Sequence, residues 1–270
     1  MSRVAGTKLI SDMGFSSEWL DLREPADHAA RDKGLLSAAI GFAGPDAIVV
    51  DLGSGTGSTA RAFRHDACTN WRWRFVDGDT DLLAVASSRH SNSEIHVMDL
   101  KNVDDLPLKD ASLVTASALL DLMPNEWVCK LAKRLSATAT PFYAALNYNG
   151  YMNWSPELQT DEEIKLSFNR HQKTDKGIGL ATGPDSARVQ EQLFGEYGFD
   201  VTLRDSPWVL GQDQAALQTQ LNKGVADAAD EIGNSAAREW LSERAGRQYD
   251  ARLVVGHTDV LAIPRPYGRD

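Results

Sequence analysis

Residues 48–63, IVVDLGSGTGSTARAF, constrain the fold of this chain more than any other stretch. Ile48, Val49 and Val50 form a short apolar run, as a buried parallel strand does. Asp51 follows, then Gly53, Gly55 and Gly57 at alternate positions. Glycines there let the backbone turn tightly and let a ligand approach the main chain with no Cβ in the way. Ser58, Thr59 and Ala60 open a helix, expected over residues 58–65, whose free N–H groups point back at the turn. Strand, glycine turn and helix together make a cradle for a nucleotide-like cofactor.

Two cofactors fit the cradle. The relaxed dinucleotide fingerprint is met by Gly55-x-Gly57-x-x-Ala60. The longer phrase Asp51-x-Gly53-x-Gly55-x-Gly57 resembles the first motif of class I S-adenosylmethionine (SAM)-dependent methyltransferases. That resemblance implies that Gly53, Ser54, Gly55 and Gly57 hold the methionine part of SAM, and that Asp51 helps organise the loop and the amino group.

The strands that follow extend the resemblance. Residues 72–76 alternate and carry aromatics, so they read as a second strand ending in Asp77-Gly78-Asp79. A carboxylate at that place, about 20 residues past the last glycine, grips a ribose through its hydroxyls. Asp77 and Gly78 match the second methyltransferase motif, with Asp79 an alternative or a helix cap. Residues 94–98 form a third strand, and Asp99-Leu100 sit at its end. A carboxylate suits an amino donor. In the family an acid here meets the adenine amino group, and the next backbone N–H meets a ring nitrogen. This third acid favours SAM over NAD.

Residues 111–116 read as a fourth strand, with Ser117 at its exit bordering cofactor and acceptor in the family. Asp121 either takes a proton from the acceptor or supplies charge to the helix at 125–135. A fifth strand is expected over 141–146, with the polar and aromatic group 147–151 at its exit. Tyr148 there either orients a nucleophile or simply packs. Residues 152–183 are long and mixed, and are expected to form an acceptor lid. His171 within it is a candidate general base, since its free pKa lies near working pH. Trp208 is a candidate wall of the acceptor pocket.

Ahead of the first strand, a capped helix is expected over 16–23 and a second from Pro25 to about Phe42. Asp27 and Arg31 lie four apart and can pair. The resemblance gives Arg31 another role, folding over the cofactor's carboxylate. At the other end, 186–197 is helical, 200–203 is a sixth strand and 253–263 a seventh. Nearly fifty residues, helical over 214–247, separate those two strands, which in the family form a tight antiparallel pair.

Composition narrows the partners. Net charge is −10, which repels phosphate backbones and argues against nucleic acid. No apolar run is long enough to span a membrane, and residues 1–10 lack a signal peptide's apolar segment, so a cytoplasmic protein is expected. Two cysteines make no disulfide framework, and no histidine pair has helical metal-site spacing, so no bound metal is expected. The expected partner is a small-molecule acceptor, with homo-oligomerisation left open.

The expected fold is α/β: a doubly wound, mostly parallel, seven-stranded sheet, as the resemblance implies. It divides into an N-terminal helical cover (1–44), a SAM-binding core (45–150), an acceptor lid (151–185) and the end of the core (186–270) with a helical insertion at 211–250. The expected activity is SAM-dependent methylation of a small organic acceptor. The alternatives are an NAD(P)-dependent oxidoreductase and a SAM-binding protein without turnover.

Overall fold

The computed structural model describes residues 15–63, 68–247 and 251–266. Two helices come first, α1 (Ser17–Ala30) and α2 (Lys33–Ala43). The break falls at Arg31-Asp32, not before Pro25, which is carried inside α1. Asp32 sets the boundary: its side chain accepts from the Leu35 N–H at 2.7 Å and caps α2.

The alternating units follow. They are β1 (Ile48–Leu52), α3 (Ser58–Ala62), β2 (Arg72–Asp77), α4 (Thr80–Arg89), β3 (Ser93–Val97), β4 (Leu113–Ser117), α5 (Asn125–Ala137) and β5 (Phe142–Ser155). The helix expected to reach His65 ends at Ala62, and His65 itself lies outside the described residues. After β5 come α6 (Asp161–Gln172), α7 (Ser186–Glu196), β6 (Phe199–Asp205) and β7 (Trp208–Leu210). Next are α8 (Ala215–Glu231) and α9 (Ala237–Ala245), and β8 (Arg252–Pro264) closes the chain.

The sheet has eight strands rather than seven, in the order β3-β2-β1-β4-β5-β8-β6, with β7 paired to β8 off this path. The pairs among β1 to β5 are parallel, and β8 runs antiparallel between β5 and β6. The short β7 was not foreseen because its three residues carry no periodicity.

Each parallel strand is apolar on both faces because helices cover both. Val50 and Leu52 face α5 and α7, against Val128, Leu131, Leu135 and Phe194. Val49 and Phe75 face the other way, against Leu35, Ala39, Leu83 and Ala86.

β5 departs most from expectation. It does not stop at residue 146 but runs on through the polar group at 147–151, bent by two irregularities. At the first, Ala145 and Leu146 lie opposite Asp259 alone. Leu146 takes φ 57°, and its N–H donates to the Asp259 carboxylate at 2.8 Å. At the second, Asn149, Gly150 and Tyr151 lie opposite Gly256 alone. The bends carry the far ends of β5 and β8 onto α6, α8 and α9, where Trp154, Ile164, Val225 and Trp240 form a third core. Asp161 ties it together, accepting from the Trp240 indole at 2.7 Å and from Arg244. Residues 152–183, expected as a lid, are thus largely the end of β5 and a helix packed on the insertion.

Gly256 is held to glycine by this arrangement. A Cβ there would run into the Asn149 side chain and lie 2.7 Å from Tyr151 Cβ. Gly256→Ala should therefore cost about 1–3 kcal/mol, the usual cost of overpacking. Urea unfolding checks this, and an unchanged midpoint would mean that the bend relaxes freely.

Candidate functional site

The site grows from the turn after β1. Gly53, Gly55 and Gly57 take φ of 64°, 50° and 78°, in the left-handed region that disfavours other residues. Space is short as well: a Cβ on Gly55 would lie 2.9 Å from Leu20 Cδ1, and one on Gly53 3.0 Å from Leu119 Cδ1. The Gly53 N–H donates to the Val76 carbonyl at 2.8 Å, and the Gly55 N–H to Asp77 Oδ2 at 2.8 Å. The turn is therefore pinned to the end of β2. α3 beyond it has only 5 residues, so the turn rather than a long helix shapes the cradle.

A cavity of about 520 Å³ opens over the turn, within the usual range for small-molecule sites. It lies beyond the carboxyl ends of the strands, where the order reverses between β1 and β4. Gly53, Ser54 and Gly55 line it, with Asp77 and Gly78 after β2, Asp99 and Leu100 after β3, and Ser117 at the end of β4. Leu20, Arg23 and Asp27 of α1 close it from above. Three expected contacts, Asp51, Gly57 and Arg31, do not line it. A second cavity, of about 530 Å³, lies by the amino end of β2 among Trp71, Trp73 and His90, and none of the expected site residues lines it.

The acids differ in their surroundings. Asp51 is fully buried, with Oδ1 accepting from the Thr115 hydroxyl at 2.8 Å and Oδ2 without a partner. Burial pushes its pKa up from 3.8 to about 7. Asp77 accepts from Gly55 and from the Asp79 N–H at 3.0 Å, and burial raises its pKa too. Asp99 is exposed and accepts from the Lys101 N–H at 3.0 Å.

A carboxyl whose folded pKa is raised contributes stability below its unfolded pKa, and that contribution is lost as pH rises through the folded value. For Asp51 the loss runs from about pH 4 to about pH 7. Asp51→Asn removes the buried charge, while Arg31 keeps Asp259 and Asp27 as nearby acids. The variant should be more stable at pH 8 by on the order of 1–3 kcal/mol, with a shallower fall in stability from pH 5 to 8. Thermal melts at both pH values check this.

Arg31 is not paired as expected. It lies past the end of α1 with ψ 135°: its backbone N–H still donates to the Asp27 carbonyl at 3.2 Å, but its side chain makes no bond to the Asp27 carboxylate. Asp27 instead takes two bonds from Arg23, at 2.9 and 3.1 Å, and one from the Trp208 indole at 3.0 Å. Arg31 is 3% exposed beneath the cavity, where it donates to the Ser117 hydroxyl at 2.9 Å. Its Nε and Nη1 have no partner.

Asp121 and Tyr148 are brought close enough for the Asp121 charge to act on the Tyr148 hydroxyl, and His171 stands apart. Asp121 occupies the turn Leu120–Leu122, is 8% exposed, and has Oδ1 unpartnered. Burial pushes its pKa up to about 6, against the pull of Arg23 and Lys176. The Tyr148 hydroxyl donates to Asn169 Oδ1 at 2.7 Å, and burial and the Asp121 charge hold its pKa above the usual value. His171 Nε2 lies 3.0 Å from Glu231, and Lys176 donates to the His171 carbonyl at 3.0 Å. Burial and Lys176 lower the pKa of His171, and none of the three expected catalytic residues, Asp121, Tyr148 and His171, lines the cavity. Trp208 is buried, with the Arg23 guanidinium 4.9 Å over its ring.

Sequence reasoning missed His257. Nothing around it in the chain marks it, and the β5–β8 register alone sets it opposite Tyr148. Its ring lies 5.1 Å from Trp208, and Nδ1 is buried without a partner. Burial and the Arg23 charge push its pKa down to about 3, so it stays neutral. Arg23 was likewise invisible before the fold placed it, whereas Asn169 and Lys176 stood out only as members of the stretch expected as a lid.

The sheet order with its inserted antiparallel strand, and the cavity at the strand ends, define the fold of the class I SAM-dependent methyltransferases. Among solved structures the chain is similar to the cyclopropane synthase MmaA2 of Mycobacterium tuberculosis, at TM-score 0.51 and 12% identity, over 95% of this chain and 96% of that one. It is also similar to a geranyl diphosphate methyltransferase solved in complex with SAM, at TM-score 0.50 and 14% identity, over 95% and 94%. A structure described as a possible exported protein from Bordetella parapertussis aligns at TM-score 0.46 and 15% identity, over 86% of this chain and 66% of that one. No protein-family model and no curated protein matches the chain. Among the described residues no helix is long and apolar enough to cross a membrane, and no group of side chains has the make-up of a metal site.

Proposed function

We propose that this chain is an enzyme that transfers the methyl group of SAM to a small organic acceptor. One observation carries the reading: Asp77 and Asp99, from successive strand ends, line the same cavity as the glycine turn. Gly53, Ser54 and Gly55 then hold the methionine portion, with Gly57 shaping the turn behind them. Asp77 and Gly78 take the ribose hydroxyls. Asp99 takes the adenine amino group, and the Leu100 backbone meets the ring. Asp51 lies beneath the turn with an unpartnered oxygen, and Arg31 holds Ser117 at the cavity wall.

When bound, SAM supplies a methyl group already activated by a sulfonium centre. The protein has to align the acceptor and exclude water. The α1 residues over the cavity serve both ends. In this reading Asp121 and Tyr148 orient the acceptor from behind the residues that line the cavity, and His171 acts on Asp121 through Lys176. With a net charge of −10 and a cavity of this size, a small molecule suits the site better than a nucleic acid.

The oxidoreductase alternative rests on Gly55-x-Gly57-x-x-Ala60 and Asp77. Against it stands β8, antiparallel between β5 and β6, where the dinucleotide fold continues in parallel. Calorimetry with S-adenosylhomocysteine and with NAD separates the two. Binding of the first alone is expected, and binding of NAD alone would sink the proposal. A SAM-binding protein without turnover would bind S-adenosylhomocysteine yet methylate nothing in a screen of phenols, amines and carboxylic acids.

A further inference from the structure

Arg23 is a cation at the cavity wall with donors left over. It lines the cavity from α1, as does Asp27, whose carboxylate it holds with Nε and Nη2 at 2.9 and 3.1 Å. The guanidinium therefore stands at the wall itself. A guanidinium carries five N–H donors. Two are used on Asp27, and the other three meet no acceptor among the described residues. They include the Nη1–Nη2 edge, a fork that takes a carboxylate by two parallel bonds. Asp27 is filled by comparison, with the Trp208 indole as its third donor at 3.0 Å. Asp121 lies within reach of the Arg23 charge, yet it is not bonded to Arg23 and does not line the cavity.

Two observations give those donors to the acceptor rather than to the cofactor. The methionine end has a donor of its own in Ser117. That residue follows Ala116, the ladder partner of Leu52, and so stands beside Gly53. A guanidinium cannot accept, so the Ser117 oxygen accepts from Arg31, and its hydroxyl hydrogen is left for the cavity it lines. Arg23 leans the other way. Its guanidinium is 4.9 Å from the ring of Trp208 in β7, a strand that lies past β8 from the glycine turn. Its companions on the cavity wall are apolar: Leu20 from the same helix, with Leu119 and Leu122 from the turn after β4.

Resting on the methyl-transfer reading, we infer that the acceptor is a small carboxylic acid with an apolar body, held by its carboxylate on the free edge of Arg23. The pair with Asp27 and the stacking on Trp208 already fix the guanidinium, so little freedom is lost when the acid binds. The sulfonium of the bound cofactor adds to the attraction for an anion.

The test uses the full chain loaded with S-adenosylhomocysteine. Calorimetry compares benzoate, phenylacetate and 4-hydroxybenzoate, each against its methyl ester. At least one acid should bind at least about tenfold more tightly than its ester, the usual minimum for a hydrogen bond to a charged group. Arg23→Gln should abolish that preference and leave ester binding unchanged, a split that a merely structural role would not produce. Should Arg23→Gln fail to fold, Arg23→Lys serves in its place. It keeps the charge but not the fork, and the preference should shrink. A panel in which no acid outbinds its ester would overturn the inference, as would an equal loss for acid and ester in the variant. A second arm compares S-adenosylhomocysteine with its decarboxylated analogue, and Arg23→Gln should not discriminate between them. A tenfold loss confined to S-adenosylhomocysteine would assign Arg23 to the cofactor's own carboxylate and overturn the inference. Failure of the wild type to bind S-adenosylhomocysteine at all would instead bring down the methyl-transfer reading itself.

Discussion

Asp259→Ala is expected to lower the melting temperature by roughly 10–20 °C, the largest loss of stability foreseen for a single substitution. Asp259 is fully buried in β8 and receives four hydrogen bonds. The Tyr143 hydroxyl donates at 2.9 Å and the Ser206 hydroxyl at 2.7 Å. The Leu146 N–H donates at 2.8 Å and the Asp32 N–H at 3.0 Å. One carboxylate thus joins the start of α2, both sides of the first β5 bend and the link between β6 and β7. Alanine would strand four donors, each costing about 1–3 kcal/mol when buried without a partner. Relaxation and entering water reduce the sum, so a net loss of about 4–6 kcal/mol is expected. For a chain of this size each kcal/mol moves the melt by about 2–4 °C. A thermal shift under 3 °C would mean that this junction is held by packing alone.

The second large effect concerns the cavity. Asp77→Ala is expected to weaken S-adenosylhomocysteine binding about 100-fold or more, since hydrogen bonds to a charged group contribute about 1.5–3 kcal/mol each. Two losses combine. The ribose hydroxyls lose their acceptor, and the Gly55 N–H loses the bond that pins the turn to β2. In the unliganded protein the loss of the Gly55 and Asp79 bonds is offset in part, because burial already penalises the Asp77 charge. Calorimetry on the folded variant provides the measurement. A loss smaller than fivefold would remove Asp77 from the proposed ribose contact and weaken the methyl-transfer reading with it.

Legibility of the sequence divides near residue 142. Before it, each signal is local. The run Ile48–Leu52, the alternate glycines and the acids closing β2 and β3 lie within a few residues of the feature they define. Asp77, Asp99 and Ser117 could therefore be named in advance, and the structure sets them around one cavity. After it, pairing decides. The polar group 147–151 reads as a strand exit until β8, a hundred residues later, is laid against it. His257 becomes interesting only through that register. Pro25 and Arg31 misled for a related reason. A proline can be carried within a helix that is anchored by tertiary contacts, and α1 is held from outside by Arg61 on Glu24 and Arg89 on Asp21. The i,i+4 spacing of Asp27 and Arg31 loses its meaning once the helix ends between them and the carboxylate has another guanidinium to hand.

The two bends of β5 also keep a count. Side chains alternate along a strand, so one residue gained or lost exchanges every later side chain between the two faces. At the first bend Ala145 and Leu146 share one face, so the extra residue is absorbed there, and deleting Leu146 would leave Tyr148 opposite His257 while removing the N–H that reaches Asp259. Chimaeras with other proteins of this fold should accordingly take residues 145–151 and 256–259 from a single parent. A crossover inside either segment would unmatch the bends from the strand they are paired to while leaving the glycine turn intact.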